Sequence, residues 1–251
     1  MMPAEESCPL GLRIYRRIRR PDAEAASRLR EAGVGDICDA MRGMGVMDAA
    51  ITAVYAPMPR IFGPAITVDL APGDGMMLRA AVEVAEPGDV IIANAHGVTA
   101  RAILGGSVGM HMVHRGVQGL VVDGAVRDVR EFQALGLPVM ARAVTPRSGT
   151  SAAGYGEVNI PVACGGVVVH PGDLVIGDGE GLVVVPRRWV GAVAGVAGHT
   201  DHAPYDPESI RQRLAELPTG APVAGIARVR QAMQAAGRLL DAPWDPEDGP
   251  G

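Results

Sequence analysis

Short apolar runs alternate with amphipathic stretches through the middle of the chain. Residues 65–70, 90–94, 120–123 and 139–144 are runs rich in Val, Ile, Leu and Ala, bounded by Gly, Pro or Asp. That is the pattern of strands covered on both faces in a parallel sheet. Between them, residues 73–86, 107–115 and 128–135 carry apolar positions at helical spacing. The rhythm predicts βαβ units. Pro87-Gly88-Asp89 and Pro171-Gly172-Asp173 are turn signals set directly before strands. Upstream, Pro21-Asp22 starts a helix to about Ala32, and a second helix over 36–42 is closed by Gly43. After Pro146 the pattern changes. The β-branched runs 160–164, 167–170, 174–176 and 182–185, separated by Gly-rich turns, predict a compact antiparallel section. Helical patterns resume from Arg187 to about Leu240, ahead of a Pro- and Asp-rich tail. The expected organisation is an N-terminal arm and helix over 1–34, a core over 35–190, and a helical extension with a mobile tail over 191–251.

Composition narrows the chemistry. At 251 residues one core domain is expected. With 48% hydrophobic but only 3% aromatic residues, that core must be built from Val, Ala, Ile, Leu and Met. All 23 basic residues are arginine and none is lysine. This excludes a Schiff-base aldolase, a pyridoxal phosphate aldimine and the GxxxxGK[ST] phosphate loop. Enolate chemistry on this chain would need another electron sink, and a metal ion is the obvious one. The net charge of -5 argues against general nucleic-acid binding. Cys8, Cys38 and Cys164 are odd in number and far apart, which makes a reducing cytoplasm the expected location. No signal-peptide h-region and no apolar run of membrane-spanning length occurs.

Candidate chemistry concentrates in two places. Leu104-Gly105-Gly106-Ser107-Val108-Gly109 opens a helix, where backbone N–H groups and the helix dipole favour an anion. A close-packed helix entry explains the same glycines equally well. Asp123-Gly-Ala-Val-Arg127-Asp128 follows the most apolar strand, at the end where ligands bind in open α/β sheets. Arg127 suits a carboxylate and Asp128 a divalent cation. The other reading makes Asp128 a helix cap and Arg127 a surface charge. Two HxxH pairs, His111/His114 and His199/His202, have the i, i+3 spacing of zinc ligands. The first lacks a third ligand nearby, and an ordinary surface or interface role is favoured. His96, after a strand, is the better-placed pocket histidine. Five arginines in 13–20 surround Ile14 and Ile18, reading as an exposed arm with two buried anchors rather than an RNA patch.

These residues carry a family resemblance. Gly11-Leu-Arg-Ile-Tyr15, Asp36-Ile-Cys-Asp-Ala40, Gly63-Pro-Ala-Ile-Thr67, Pro87-Gly-Asp89, Gly116-Val-Gln-Gly119, Asp123 to Asp128, Gly136-Leu-Pro138, Val158-Asn-Ile-Pro-Val162 and Pro171-Gly-Asp173 are similar to the RraA-like family. That family holds the regulators of ribonuclease E activity and the metal-dependent 4-hydroxy-4-methyl-2-oxoglutarate aldolases, many of which also decarboxylate oxaloacetate. The resemblance implies an α/β fold, an αββα sandwich of the swivelling phosphohistidine-domain type with a central mixed sheet. It implies a homotrimer or homohexamer with sites at subunit interfaces. It also implies a Mg²⁺- or Mn²⁺-dependent lyase that cleaves a pyruvate-containing keto acid through a metal-stabilised enolate. Arg127 then binds the pyruvyl group, Asp128 holds the metal, and Gly105, Gly106, Ser107, Val108 and Gly109 receive the substrate carboxylate. Gly106 stands where the aldolases carry an acid, and Glu131, one helical turn after Asp128, is the candidate to lean into that place. Gly75 and Arg79 replace an Asn and a His of many relatives, pointing to a bulkier or more anionic acid. The alternatives are a non-catalytic regulator that binds an RNA-degrading enzyme, or a related lyase or hydratase acting on another keto acid.

Overall fold

The computed structural model describes residues 13–151, 155–197, 207–216 and 231. In chain order the helices are α1 (Ala23–Arg28), α2 (Val34–Ala40), α3 (Met76–Val84), α4 (Gly106–His114), α5 (Val129–Leu135), α6 (Val190–Ala197) and α7 (Pro207–Glu216). The strands are β1 (Thr52–Ala53), β2 (Ile61–Leu70), β3 (Val90–Ala102), β4 (Gly119–Val126), β5 (Val139–Val144), β6 (Gly156–Val158), β7 (Val162–Cys164), β8 (Val167–Val169), β9 (Leu174–Gly177) and β10 (Leu182–Val185). Two compact units divide the chain, Met1–Asp201 and His202–Gly251; α7 lies in the second. No helix among the described residues is long and apolar enough to cross a membrane. Cys8, Gly11 and the pair His199/His202 lie outside the described residues.

Strand order is β1-β5-β4-β3-β2-β9-β10, with β6 also on β2. Strands β2 to β5 pair in parallel, whereas β1, β6, β9 and β10 are antiparallel to their neighbours. Alternation along these strands sorts side chains onto two faces. Ile66, Val68, Ile91, Ala93, Leu120 and Val122 face α3, α4 and α5, where Leu78, Met112 and Phe132 cover them. Ala65, Val90, Ile92, Val121 and Met140 face the other way, onto Val175, Leu182 and Val184 of the curled end of the sheet and onto the β7–β8 hairpin. The outer face of β9 and β10, with Ile176, Val183 and Val185, is covered by Leu29, Ile37, Val190 and Ala194 of the α1, α2 and α6 region. Helix, sheet, sheet, helix is the αββα layering expected, around a mixed sheet. All eight residues of β4 are buried, and Asp123 is the one charged side chain among them.

Three local differences have physical reasons. Strand β3 continues to Ala102 instead of ending at Asn94, because it follows β4 through register shifts between Asn94, Val98 and Ala102. Residues 96–101 are mostly exposed, so their polar composition hides the strand. In the arginine arm only Ile18 packs on the core; Ile14 is exposed. Ion pairs fasten the arm instead, Arg13 to Glu157 and Arg20 to Asp89. Cys164 is buried, whereas Cys38 is partly exposed.

Candidate active site

The turn from β4 into α5 sets the site. Asp128 adopts a left-handed backbone (φ 60°, ψ 43°), uncommon for a residue with a side chain. It stands at the N-cap of α5, yet its carboxylate caps nothing in that helix. Instead Oδ2 accepts the Gly106 N–H at 3.1 Å and lies 3.4 Å from Arg127 Nε. The helix-cap reading of Asp128 is therefore excluded. The strained backbone aims the carboxylate across to the first turn of α4.

Gly105 and Gly106 allow that approach. A β-carbon at 105 would overlap the Asp128 carboxylate, and one at 106 would overlap the Glu131 carboxylate. Two acidic side chains thus lie against a turn that has no side chains of its own. Gly109 serves the same packing one turn later, where a β-carbon would meet the Phe132 ring at 3.0 Å. Phe132 is fully buried and fixes α5 against α4.

Of the amides at the helix entry, the Gly106 N–H is already bonded to Asp128, and those of Val108 and Gly109 donate to the Gly105 carbonyl at 3.2 Å. The Ser107 N–H has no acceptor among the described residues. Arg127, Gly105, Ser107 and Val108 line a small cleft of about 50 Å³, completed by Arg79 and by Ser148 to Ser151. Asp128 and Glu131 lie beside this cleft, not in its wall.

Sequence reasoning had no signal for the Ser148–Thr150 wall. It is an irregular segment, held by bridges from Ser148 to Ala102 and from Thr150 to Asp74. The buried Asp74 accepts Thr150 Oγ1 at 2.7 Å and the Met76 N–H at 2.7 Å. Gly75 leaves no room for a side chain, since a β-carbon would overlap the Ile103 carbonyl. This close approach brings the start of α3, and with it Arg79, to the cleft.

The remaining candidates fall elsewhere. His96, also left-handed (φ 56°), places Nε2 at 3.3 Å from Asp69 Oδ1, with Asn94 bonded to the same carboxylate at 2.8 Å. It does not line the cleft. Asp123 is a buried structural anion that pairs with Arg142 and accepts the Gly165 N–H at 2.7 Å, tying β4 to β5 and to the β7–β8 turn. Burial, helped by the nearby Asp123 charge, pushes the Cys164 thiol well above its ordinary pKa, so it is no nucleophile. His111 and His114 line a separate, wider groove. No group of three or more His, Cys, Asp or Glu among the described residues is placed to hold a metal.

A protein-family model described as Aldolase/RraA, RraA-like, matches residues 34–184. This chain belongs to the RraA-like family. A member from Halalkalibacterium halodurans, provisionally named as a 4-hydroxy-4-methyl-2-oxoglutarate aldolase, is 39% identical over 154 residues, covering 60% of this chain and 71% of that one. The 4-hydroxy-4-methyl-2-oxoglutarate aldolase of Thermus thermophilus is 33% identical over 122 residues, 49% of this chain and 74% of that one. Among solved structures, Streptomyces coelicolor RraAS2, described as an unusual member of the RNase ES inhibitor RraA family, superposes with a TM-score of 0.64 at 28% identity. That match covers 79% of this chain and 98% of RraAS2. The RraA-like family therefore contains relatives named for catalysis and relatives named for inhibition.

Proposed function

We propose that this chain is a divalent-metal-dependent carbon–carbon lyase acting on a pyruvate-containing acid, either a 4-hydroxy-2-oxo diacid or oxaloacetate. The observation that carries the reading is the Asp128 backbone. A left-handed residue spends conformational energy to aim its carboxylate away from its own helix, beside an arginine that lines a cleft.

The donor set fits Mg²⁺ or Mn²⁺. Asp128 offers hard carboxylate oxygens, its side chain is 36% exposed, and the Glu131 carboxylate lies over the adjoining glycine, so water has room to complete a coordination sphere. Bound there, the cation would act as a Lewis acid for the keto and carboxylate oxygens of the substrate.

The chain's own residues supply the rest. Arg127 has no anionic neighbour but Asp128 among the described residues, which leaves its guanidinium to pair with the pyruvyl carboxylate. The Ser107 N–H is a second donor on the same wall. Glu131 would accept the 4-hydroxyl proton as the C3–C4 bond breaks, its electron pair passing into the pyruvate enolate, and a proton returned to C3 gives pyruvate. In oxaloacetate the same bond releases CO₂. No step needs an amine, in keeping with a chain that has no lysine.

A glycine at 106, in the place of the acid that the family resemblance implies for the aldolases, would by itself favour a non-catalytic regulator. The Glu131 carboxylate overlying that glycine weighs toward the enzyme. The test is pyruvate release from oxaloacetate and from a 4-hydroxy-2-oxo diacid, with Mn²⁺ and with chelator. Absence of release from both, or release unaffected by chelator, overturns the reading.

A further inference from the structure

A cavity of about 340 Å³ lies at the end of the parallel strands opposite the cleft. Pro64 of β2, the turn Pro87–Asp89 before β3 and Gln118 before β4 border it on one side. Ala26 and Ser27 of α1, with Arg30 just after that helix, border it on the other. From Gln118 to Arg127 the chain runs the length of β4, roughly 20 Å, and the cavity and the cleft share no lining residue. Its walls are mostly apolar, made by Phe62, Leu174 and the rings of Pro21, Pro64 and Pro87, while the small side chains of α1 leave the space open.

Two guanidiniums reach this space, and they differ. Arg20 is answered: its Nη2 pairs with Asp89 at 2.8 Å and with Glu86 at 3.0 Å. Arg30 stacks over the Phe62 ring, 4.3 Å from its centroid, and no carboxylate pairs with it among the described residues. A ring face steadies a guanidinium and leaves its N–H edge for a hydrogen-bonding partner. The bordering amides offer an anion nothing, because those of Gly88, Asp89 and Gln118 donate to the carbonyls of Gly116, Glu86 and Asp89. Arg30 is therefore the cation that an incoming anion would meet. Asp89 in the same wall, and Glu86 beside it, would repel a second negative charge.

We propose that this cavity binds a compact hydrophobic monocarboxylate, with its carboxylate on Arg30 and its apolar body against Phe62, Leu174 and the prolines. The planar fork of Arg30 matches a carboxylate, and the volume suits a small ligand. The site is independent of the keto-acid reading, since no residue of the cleft takes part.

Equilibrium dialysis of the full chain at pH 8 against labelled benzoate tests this, with unlabelled compounds as competitors. Saturable binding of benzoate is expected. Acetate, which lacks the body, and benzamide, which lacks the charge, should each compete about 10-fold or more weakly than benzoate. Phenyl phosphate, with two charges, should also compete less well. Competition by 4-methylpentanoate equal to that of benzoate shows that any apolar body serves, and weaker competition makes the site aromatic. Arg30→Met, and Ser27→Phe, which fills the space from its rim, should abolish saturable binding, whereas Arg127→Met should keep it. Absence of saturable binding overturns the site. So does benzamide or phenyl phosphate competing as well as benzoate, or binding that is lost in Arg127→Met and kept in Arg30→Met. The competition series uses the unaltered chain, so it decides the role of the charge even where a variant does not fold.

Discussion

The Glu131 carboxylate lies over Gly106 so closely that any side chain at 106 would displace it. The carboxylate at this point comes from α5, whereas the acid that the family resemblance implies at position 106 would come from the start of α4. The two arrangements exclude each other sterically, so the glycine and the glutamate belong together. Glu131→Gln should lower pyruvate release from a 4-hydroxy-2-oxo diacid, whose hydroxyl proton Glu131 would accept, by about 10²-fold or more, the usual contribution of a positioned acid or base. Placing the acid back on α4 in a chain that lacks the other, Gly106→Asp with Glu131→Ala, should recover part of the loss. If the double variant is no better than Glu131→Ala alone, the two carboxylates are not equivalent.

How legible this was depends on where the position of each residue is decided. The Arg127-Asp128 pair is readable because a buried strand, β4, ends just before it, and the apolar run marks that strand. Glu131 is readable only as one helical turn beyond Asp128. Its contact with Gly106 depends on how α4 meets α5 through Gly109 and Phe132, a tertiary relation with no local signature. The second half of β3 escapes for a related reason. Residues 96–101 pair through register shifts, and neither strict alternation nor a continuous apolar run survives them. Arg79 stands out in the sequence as a departure from relatives, but its place at the cleft follows from the backbone contact of Gly75 with Ile103.

Asp128 separates stability from activity. Asn tolerates a left-handed backbone and keeps an oxygen for the Gly106 N–H, so Asp128→Asn should change stability by less than about 0.5 kcal/mol. The same change removes the anionic oxygen offered to the cation, and Mn²⁺-dependent release should fall by at least about 10²-fold. Asp128→Ala should also cost about 1–2 kcal/mol in denaturant titrations, since alanine adopts this backbone with no compensating hydrogen bond. Equal stability losses in the two variants would contradict the argument.

Cys164 should be chemically silent in the folded chain. It is fully buried and burial holds its thiol protonated, whereas Cys38 is partly exposed. Alkylation at pH 8 followed by peptide mass mapping should modify Cys38 and leave Cys164 unmodified until denaturant is added. Labelling of Cys164 at the rate of Cys38 would show that the β7–β8 hairpin does not seal this core.

Asp89 and Arg20 give the chain a pH-dependent fastening. The Asp89 carboxylate is buried, accepts the Glu86 N–H at 2.8 Å and takes two bonds from Arg20 Nη2 at 2.8 and 3.0 Å. Burial raises its pKa more than the backbone bond and Arg20 lower it. A carboxyl whose pKa is higher folded than unfolded keeps a proton that the unfolded chain has released. Its contribution to stability therefore falls as pH rises from about 4 through the folded value. Arg20→Met removes the cation and moves that folded value higher still. The variant should lose about 1–3 kcal/mol at pH 7, a figure discounted because Arg20 is itself one-third exposed. At pH 4 a larger share of Asp89 is protonated in both folded chains than at pH 7, and the difference between variant and parent should shrink. Asp89→Asn combined with Arg20→Met should show little pH dependence from this pair. Denaturant midpoints at the two pH values measure it directly, and a loss as large at pH 4 as at pH 7 would mean that Arg20 stabilises the arm by packing rather than by answering a buried charge.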